Sequence, residues 1–123
     1  WRNNIRVYVP SMVVKDGHLY AVTDGGIATC WDSATGETMW KGRLGGTFSA
    51  SPTLVGDNFY AANEHGEFFV FKATPKTFEI VAKNQLGDEI FASPVIVGSR
   101  IYQRTAIRKG NQRQEFLFCI GNP

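Results

Sequence analysis

The sequence contains few of the residues that build reactive or cross-linked sites. Only two of its 123 residues are cysteines, Cys30 and Cys119, and neither lies in a Cys-x-x-Cys pair or near a metal-ligand cluster. Two cysteines are too few for a disulfide scaffold, and we expect both to be buried as small hydrophobic residues with no disulfide between them. The histidines, His18 and His65, fall in different turns, and no hydrolase, phosphate-loop or zinc-protease motif occurs. The sequence therefore predicts no catalytic residue and no metal site.

Long apolar runs and a strong charge of either sign are also missing. The longest apolar runs are only a few residues, such as 68–71, so we expect no transmembrane helix and no signal-peptide core. Thirteen Lys and Arg residues against eleven Asp and Glu residues leave a net charge of +2. This is too little to favour nucleic acid or an anionic membrane as a partner. We therefore predict no nucleic-acid partner and no membrane span.

An internal repeat is the strongest positive signal. Pro10, Pro52 and Pro94 are each 42 residues apart, and residues 50–60 match residues 92–102 almost one for one. A repeat of this kind fixes the fold class before any single element is assigned, because each copy is one supersecondary unit.

Each copy contains four short segments that are typical of strands. In the second copy they cover about 51–55, 58–62, 67–72 and 78–83, separated by turns rich in Gly, Asp, Asn and Pro. No stretch keeps an apolar period of helical length. Four antiparallel strands every ~40–45 residues are typical of a propeller blade. The sequence thus predicts an all-β fold of β-propeller blades.

The repeat also divides the chain. We predict the outer strand of a preceding blade and a lead-in over 1–9, blades over 10–50 and 51–92, and an incomplete, three-stranded blade over 93–123. Trp1-Arg2 is read as an outer strand because it resembles Trp40-Lys41. Propellers close with ~4–8 blades, so we expect an incomplete ring that is part of something longer. The remaining blades, or other copies associating through exposed blade edges, are predicted to cover its ends.

The large aromatic residues are expected to fill the layers between adjacent blades. Each such ring buries about 150–250 Å² in a core. The rings assigned to this role are Tyr20, Tyr60, Tyr102, Trp31, Trp40 and Phe71.

Three stretches of the sequence resemble the pyrroloquinoline-quinone (PQQ)-like, or BamB-like, β-propeller repeat. They are Ser51-Pro52 to Tyr60, Asp24-Gly25-Gly26 to Asp32, and the stretch to Trp40 that contains Thr35-Gly36-Glu37. The resemblance covers essentially the whole chain. It implies one of two groups: quinoprotein dehydrogenases that oxidise alcohols or sugars, or non-enzymatic propellers that assemble outer-membrane β-barrels or act as sensor modules of bacterial kinases.

Between these groups, the residues favour a non-catalytic protein-interaction or scaffold module. The resemblance implies a bacterial envelope location, periplasmic or extracellular. The alternative is part of a PQQ-dependent dehydrogenase whose catalytic residues lie in blades not present here. Such an enzyme holds calcium on oxygen ligands and often has two adjacent cysteines, which this chain lacks. Asp24, Asn63 and Glu64 offer oxygen atoms, but turn chemistry explains them more simply, so we expect no cofactor.

The third copy carries an insertion of about seven residues around Arg104 to Gln114. Five basic residues and no acidic residue fall between positions 100 and 113. One interpretation is a solvated hairpin at the blade rim. The other is a loop that contacts an anion, namely a polyanionic glycan, a phospholipid headgroup or an acidic protein partner. The candidate contact residues are Arg104, Arg108, Lys109 and Arg113.

Overall fold

The computed structural model describes residues 1–5, 7 and 10–121. Their strands form three antiparallel sheets that do not close into a ring. The first sheet contains β1 (Val13–Lys15), β2 (His18–Val22), β3 (Ile27–Asp32) and β4 (Thr38–Arg43), in that order. The second contains β5 (Thr53–Val55), β6 (Asn58–Ala62), β7 (Glu67–Lys72) and β8 (Ile80–Gln85). The third contains β9 (Val95–Val97), β10 (Arg100–Lys109) and β11 (Gln112–Ile120). The predicted all-β fold of propeller blades is confirmed.

No helix of the described residues is long and apolar enough to cross a membrane.

The strands of the second blade lie close to their predicted positions. β6 and β7 match the prediction, whereas β5 and β8 both begin two residues later than predicted. β5 starts late because Pro52 has no N–H and the backbone N–H of Ser51 donates to Ser93 Oγ, two residues before β9, at 3.0 Å. β8 starts late because the turn after β7 closes with a 3.0 Å bond from Lys72 N to Glu79 O, which leaves pairing to begin at Ile80.

The largest core lies between the first and second blades. Tyr20 contacts Phe59 with ring centroids 4.9 Å apart, and Trp40 meets Phe71 edge-on at 6.5 Å. All four rings are buried. The Trp40 indole also donates from Nε1 to the carbonyl oxygen of Thr74, at 2.6 Å, in the turn that follows β7. The predicted inter-blade role of Tyr20, Trp40 and Phe71 is confirmed.

A smaller core joins the second and third blades. Its buried members are Ala62, Phe68 and Ile90, with Tyr60 and Ile101 packed against them. Tyr60 thus has the predicted role.

Two of the predicted inter-blade rings have other surroundings. Trp31 is buried on the side of the first sheet where it lines a hollow with Trp1 and Leu19. Tyr102 is only half-buried, because in the described part of the chain no blade follows the third. The inter-blade role of Tyr102 therefore stays a prediction.

Serine hydroxyls form a second link that repeats from blade to blade. Ser11 N donates to Ser51 Oγ at 2.8 Å, and Ser51 N donates to Ser93 Oγ at 3.0 Å. These serines follow or precede the three repeated prolines by one residue. The two acceptors, Ser51 and Ser93, are therefore equivalent in the 42-residue repeat, whereas the two donors are two repeat positions apart.

The two cysteines differ in environment. Cys30 is fully buried in the first core, as predicted, whereas Cys119 is exposed, so the prediction of burial is wrong for Cys119. It lies on β11, the edge strand of the third sheet, on a face that no described residue of a further blade covers. Both thiols are free.

The N-terminal residues lie against the first blade without forming a strand. Residues 1–5 and 7 are outside every sheet, while Trp1 Nε1 donates to Ser33 O at 2.8 Å. The assignment of 1–9 to a preceding blade stays a prediction, and Arg6, Tyr8 and Val9 lie outside the described residues. So do Asn122 and Pro123 at the end of the predicted third blade.

Candidate interaction surface on the third blade

The hairpin of β10 and β11 is longer than its counterparts in the other two blades. In those blades the chain reverses in tight turns, where Gly26 N bonds Thr23 O at 2.9 Å and Gly66 N bonds Asn63 O at 3.2 Å. In the third blade the two strands run on as a regular ladder to the pair Lys109 and Gln112. The insertion predicted from the sequence forms this outer part, which we call the long hairpin (residues 104–117).

The register of the long hairpin sorts the four candidate contact residues onto two faces. Side chains alternate between the faces of a strand, and directly opposed residues share a face. Arg108 is opposite Arg113, and Lys109 is opposite Gln112. Arg104, Arg108 and Arg113 therefore lie on one face, which we call the arginine face, and Lys109 lies on the other.

Acidic residues hold two of the three arginines in place. Arg108 Nε forms an ion pair with Glu89 Oε1, and Arg113 Nε lies 3.3 Å from Glu89 Oε2. Arg113 Nη1 also lies 3.2 Å from Glu115 Oε1. Within the described residues, Arg104 is exposed and has no carboxylate within ion-pair distance. The arginine face thus combines two fixed guanidinium groups with one whose charge is uncompensated.

Glu89 belongs to the linker between β8 and β9, and its backbone fastens that linker to the hairpin. Ala106 N donates to Glu89 O at 2.9 Å, and Glu89 N donates to Ala106 O at 3.1 Å. The neighbouring Asp88 carboxylate accepts a 2.7 Å bond from Arg108 N. The hydrogen bond from Arg108, supported by the one from Arg113, holds the pKa of the Glu89 carboxyl below its usual range.

We expect Glu89→Gln to destabilise the chain near pH 7 and to have little effect near pH 2.5. Glu89 has a lower pKa when folded than its unfolded value of about 4.3, so its carboxylate stabilises the fold above that value. The contribution is lost as the pH falls through the folded pKa. Urea midpoints of wild type and variant at the two pH values measure this. Glu79→Gln, at the exposed pair with Lys72, is the matched control, and an equal effect of Glu89→Gln at both pH values would contradict the prediction.

Sequence reasoning missed Glu89 and Glu115. The count of acidic residues ended at Arg113, so Glu115 fell just outside it, and Glu89 reaches the hairpin from the preceding linker. The repeat offers a signal that could have found Glu89. Glu89 and Ala106 are each 42 residues after Thr47 and Glu64. The backbone bond from Ala106 N to Glu89 O therefore repeats the 2.7 Å bond from Glu64 N to Thr47 O at the second blade.

The described residues do not fit the chemistry of a quinone site. Trp40 is buried in the inter-blade core and Trp31 lines the hollow beside Trp1, and no group of three or more His, Cys, Asp or Glu side chains converges in the described part of the chain. The amide of Asn63 closes its own turn, because Oδ1 accepts bonds from His65 N and Glu67 N, both at 3.0 Å. These residues therefore give no basis for a step that involves PQQ or calcium.

The stacked sheets and the contacts that repeat between them define an open segment of a β-propeller built from PQQ-like repeats. The family of the outer membrane protein assembly factor BamB matches residues 1–77, more than half of the chain, and the chain belongs to this family.

The crystal structure of BamB from Moraxella catarrhalis is similar in fold, with a TM-score of 0.60 at 11% sequence identity. The match covers 76% of this chain and 28% of that one, so the chain spans little more than a quarter of the length of that protein. No curated protein matches the sequence.

Proposed function

We propose that this chain is a non-catalytic propeller segment that serves as a protein-interaction or scaffold module of a bacterial envelope protein, in the periplasm or outside the cell. The observation that carries the proposal is the family match over residues 1–77. The family is described as an assembly factor for outer membrane proteins, which is a task of binding other proteins. The same description supports the proposed envelope location.

The arginine face of the long hairpin is the contact surface that we assign to this function. Guanidinium groups bind carboxylates through paired, charge-assisted hydrogen bonds, and Glu89 holds Arg108 and Arg113 side by side. Arg104 adds a charge that no described carboxylate neutralises. We therefore propose an acidic segment of a protein as the partner, in preference to a glycan or a phospholipid headgroup. Lys109, on the other face, is a secondary contact at most.

Charge reversal on the two faces tests this assignment. We expect Arg108→Glu to weaken retention of envelope proteins on the immobilised chain by roughly tenfold or more, as loss of a charge-assisted bond implies, and Lys109→Glu to have little effect. Retained proteins are quantified by mass spectrometry at low and high salt. In separate experiments, vesicles of anionic phospholipid and a sulfated glycan are offered to the immobilised chain. Retention of either one would identify that class of anion as the ligand. Equal retention by wild type and both variants would refute the assigned contact.

Arg108→Glu also places a second negative charge beside Glu89, so a control must separate folding from binding. The double variant Arg108→Glu with Glu89→Lys restores an ion pair at the same place. We expect it to recover the urea midpoint of wild type while retention stays low. Recovery of both would mean that the arginine face acts only by stabilising the hairpin.

The same family resemblance leaves a quinoprotein dehydrogenase as the competing function. Reduction of an electron-accepting dye by the folded protein, dependent on added PQQ and calcium, would overturn the proposal of a non-catalytic module.

A further inference from the structure

We propose that Phe91 makes the arginine face selective for acidic segments in which an aromatic side chain lies beside the carboxylates. The inference rests on the proposed function, because it concerns the same surface and the same partner. It goes further by assigning a specificity-determining residue outside the long hairpin.

Phe91 reaches the arginine face because the linker between β8 and β9 runs beside β10 like a short additional strand. Glu89 and Ala106 form an antiparallel bridge, with backbone hydrogen bonds in both directions. Successive side chains of an extended segment point to opposite faces. Ile90 is fully buried in the smaller core, on the side of the second blade. Glu89 and Phe91 therefore both point to the other side, which is the arginine face.

The Phe91 ring shares a small hollow with two of the arginines. The lining of this hollow includes Phe91, Arg104 and Arg113, together with Glu89 and Glu115. Both carboxylates form ion pairs with Arg113, and the Phe91 side chain is 49% exposed. Single exposed apolar side chains are common on proteins, but this one lies in a hollow with two guanidinium groups. The hollow thus offers apolar surface next to cationic hydrogen-bond donors.

The repeat shows that this corner of a blade stays open to solvent when another blade follows it. Thr47 and Ser49 are the counterparts of Glu89 and Phe91, 42 residues earlier. The third blade follows the second, yet Thr47 is exposed and Ser49 is only half-buried. The exposure of the Phe91 ring therefore belongs to its position within the blade.

Phe91 also marks a departure from the repeat at the place where the insertion lies. In the second blade Ser49 Oγ donates to the Glu64 carboxylate. The third copy has Phe91 in place of that serine and Ala106 in place of that glutamate. Ala106 is 1% exposed, so the ring alone reaches solvent. The third blade therefore has an exposed aromatic ring where the second blade has an internal hydrogen bond.

An aromatic ring beside guanidinium groups fits a partner segment that is both acidic and aromatic. Guanidinium groups bind carboxylates through charge-assisted hydrogen bonds, and two aromatic rings attract each other in offset or edge-on contact. Rings in contact also keep water away from the adjacent ion pairs, which strengthens them. Neither a glycan nor a phospholipid headgroup carries an aromatic ring. The combination, which is common at protein interfaces, therefore favours a protein segment as the occupant.

Three fluorescently labelled peptides of equal length test the proposal with the 123-residue chain. The acidic-aromatic peptide has the core Glu-Ser-Phe-Ser-Glu, whose alternate side chains point to one side of an extended chain. The acidic peptide has alanine in place of phenylalanine, and the aromatic peptide has glutamine in place of both glutamates. Fluorescence anisotropy measures the dissociation constants. We expect wild type to bind the acidic-aromatic peptide roughly two- to tenfold more tightly than the acidic peptide, as one aromatic pair implies, and the aromatic peptide most weakly.

Phe91→Ala should abolish the preference for the acidic-aromatic peptide and leave the dissociation constant of the acidic peptide unchanged. Phe91→Leu, which keeps an apolar side chain, should retain part of the preference. Phe116→Ala is the matched control, because Phe116 is 38% exposed and lies opposite Thr105, on the other face of the long hairpin. It should leave the preference as in wild type. Urea midpoints establish that each variant is folded.

Arg108→Glu separates this inference from the proposed function, since it should weaken binding of both acidic peptides by the same factor. If it does so while Phe91→Ala leaves the preference intact, the acidic partner stands and the role of Phe91 is wrong. If Arg108→Glu changes neither dissociation constant, the proposed contact of the arginine face fails, and the inference fails with it. Equal binding of the two acidic peptides by wild type, binding of neither, or loss of the preference in Phe116→Ala would also overturn the role of Phe91.

Discussion

Replacing Phe71 by alanine should lower the free energy of unfolding by about 3–5 kcal/mol, the range for deleting a buried phenylalanine ring. Phe71 is only 2% exposed and lies at the centre of the first inter-blade core. The centroid of its ring lies 5.3 Å from that of Phe59 in its own sheet and 6.5 Å from that of Trp40 in the preceding blade. The neighbouring strands are fixed by ladders on both sides, so the site has little freedom to collapse around the cavity. Urea denaturation followed by circular dichroism measures the change.

A loss of this size is a large part of the 5–15 kcal/mol typical of a small domain, so the variant series needs an intermediate member. Phe71→Leu should fall between wild type and Phe71→Ala. Phe91→Ala is the matched control, because Phe91 is 49% exposed and its loss should cost under about 1 kcal/mol. Equal losses at the two phenylalanines would show that the inter-blade layer does not stabilise the chain as inferred.

Gly26→Ala should lower the free energy of unfolding by about 1–3 kcal/mol more than Gly17→Ala does. This difference is the usual penalty for overpacking. Both glycines have positive φ angles, +82° and +76°, so both variants share the cost of a left-handed backbone. They differ in what a new Cβ atom meets. At Gly26 it would lie 2.8 Å from Gly45 C and from Gly46 O, whereas at Gly17 nothing lies within 4 Å.

Urea midpoints of the two glycine variants, with unchanged denaturant slopes, give this difference directly. Subtracting the stability loss of Gly17→Ala removes the cost of the left-handed backbone. What is left is the cost of the close contact between the turn after β2 and the linker after β4. Variants of equal stability would mean that this linker moves away at little cost. The packing of this linker on the first blade would then be looser than the distances imply.

Much of the fold could be predicted because the repeat and the turn residues agree. The 42-residue spacing of Pro10, Pro52 and Pro94 led to three blades, and the Gly, Asp and Asn turns gave β6 and β7 their correct bounds. The start of β5 could not be predicted in this way. It depends on a bond from Ser51 to the neighbouring blade, which is a contact between residues 42 positions apart.

The candidate site was predicted less completely than the fold. The insertion and its arginines could be read from the sequence, because the third copy departs from the spacing of the second. Which arginines share a face follows only from the register of the long hairpin. The role of Glu89 depends on a linker that crosses the hairpin, and the exposure of Cys119 depends on the lack of a covering strand in the described residues. Local sequence carries neither fact.

The bond from the Trp40 indole to its neighbour bears on how far related propellers can diverge. The acceptor is the backbone carbonyl of Thr74, and every residue has such a carbonyl. The joint between blades therefore requires a peptide group in a given place and is indifferent to the side chain attached to it. Mutations can accumulate in that turn without breaking the bond, which is in keeping with a shared fold at 11% identity.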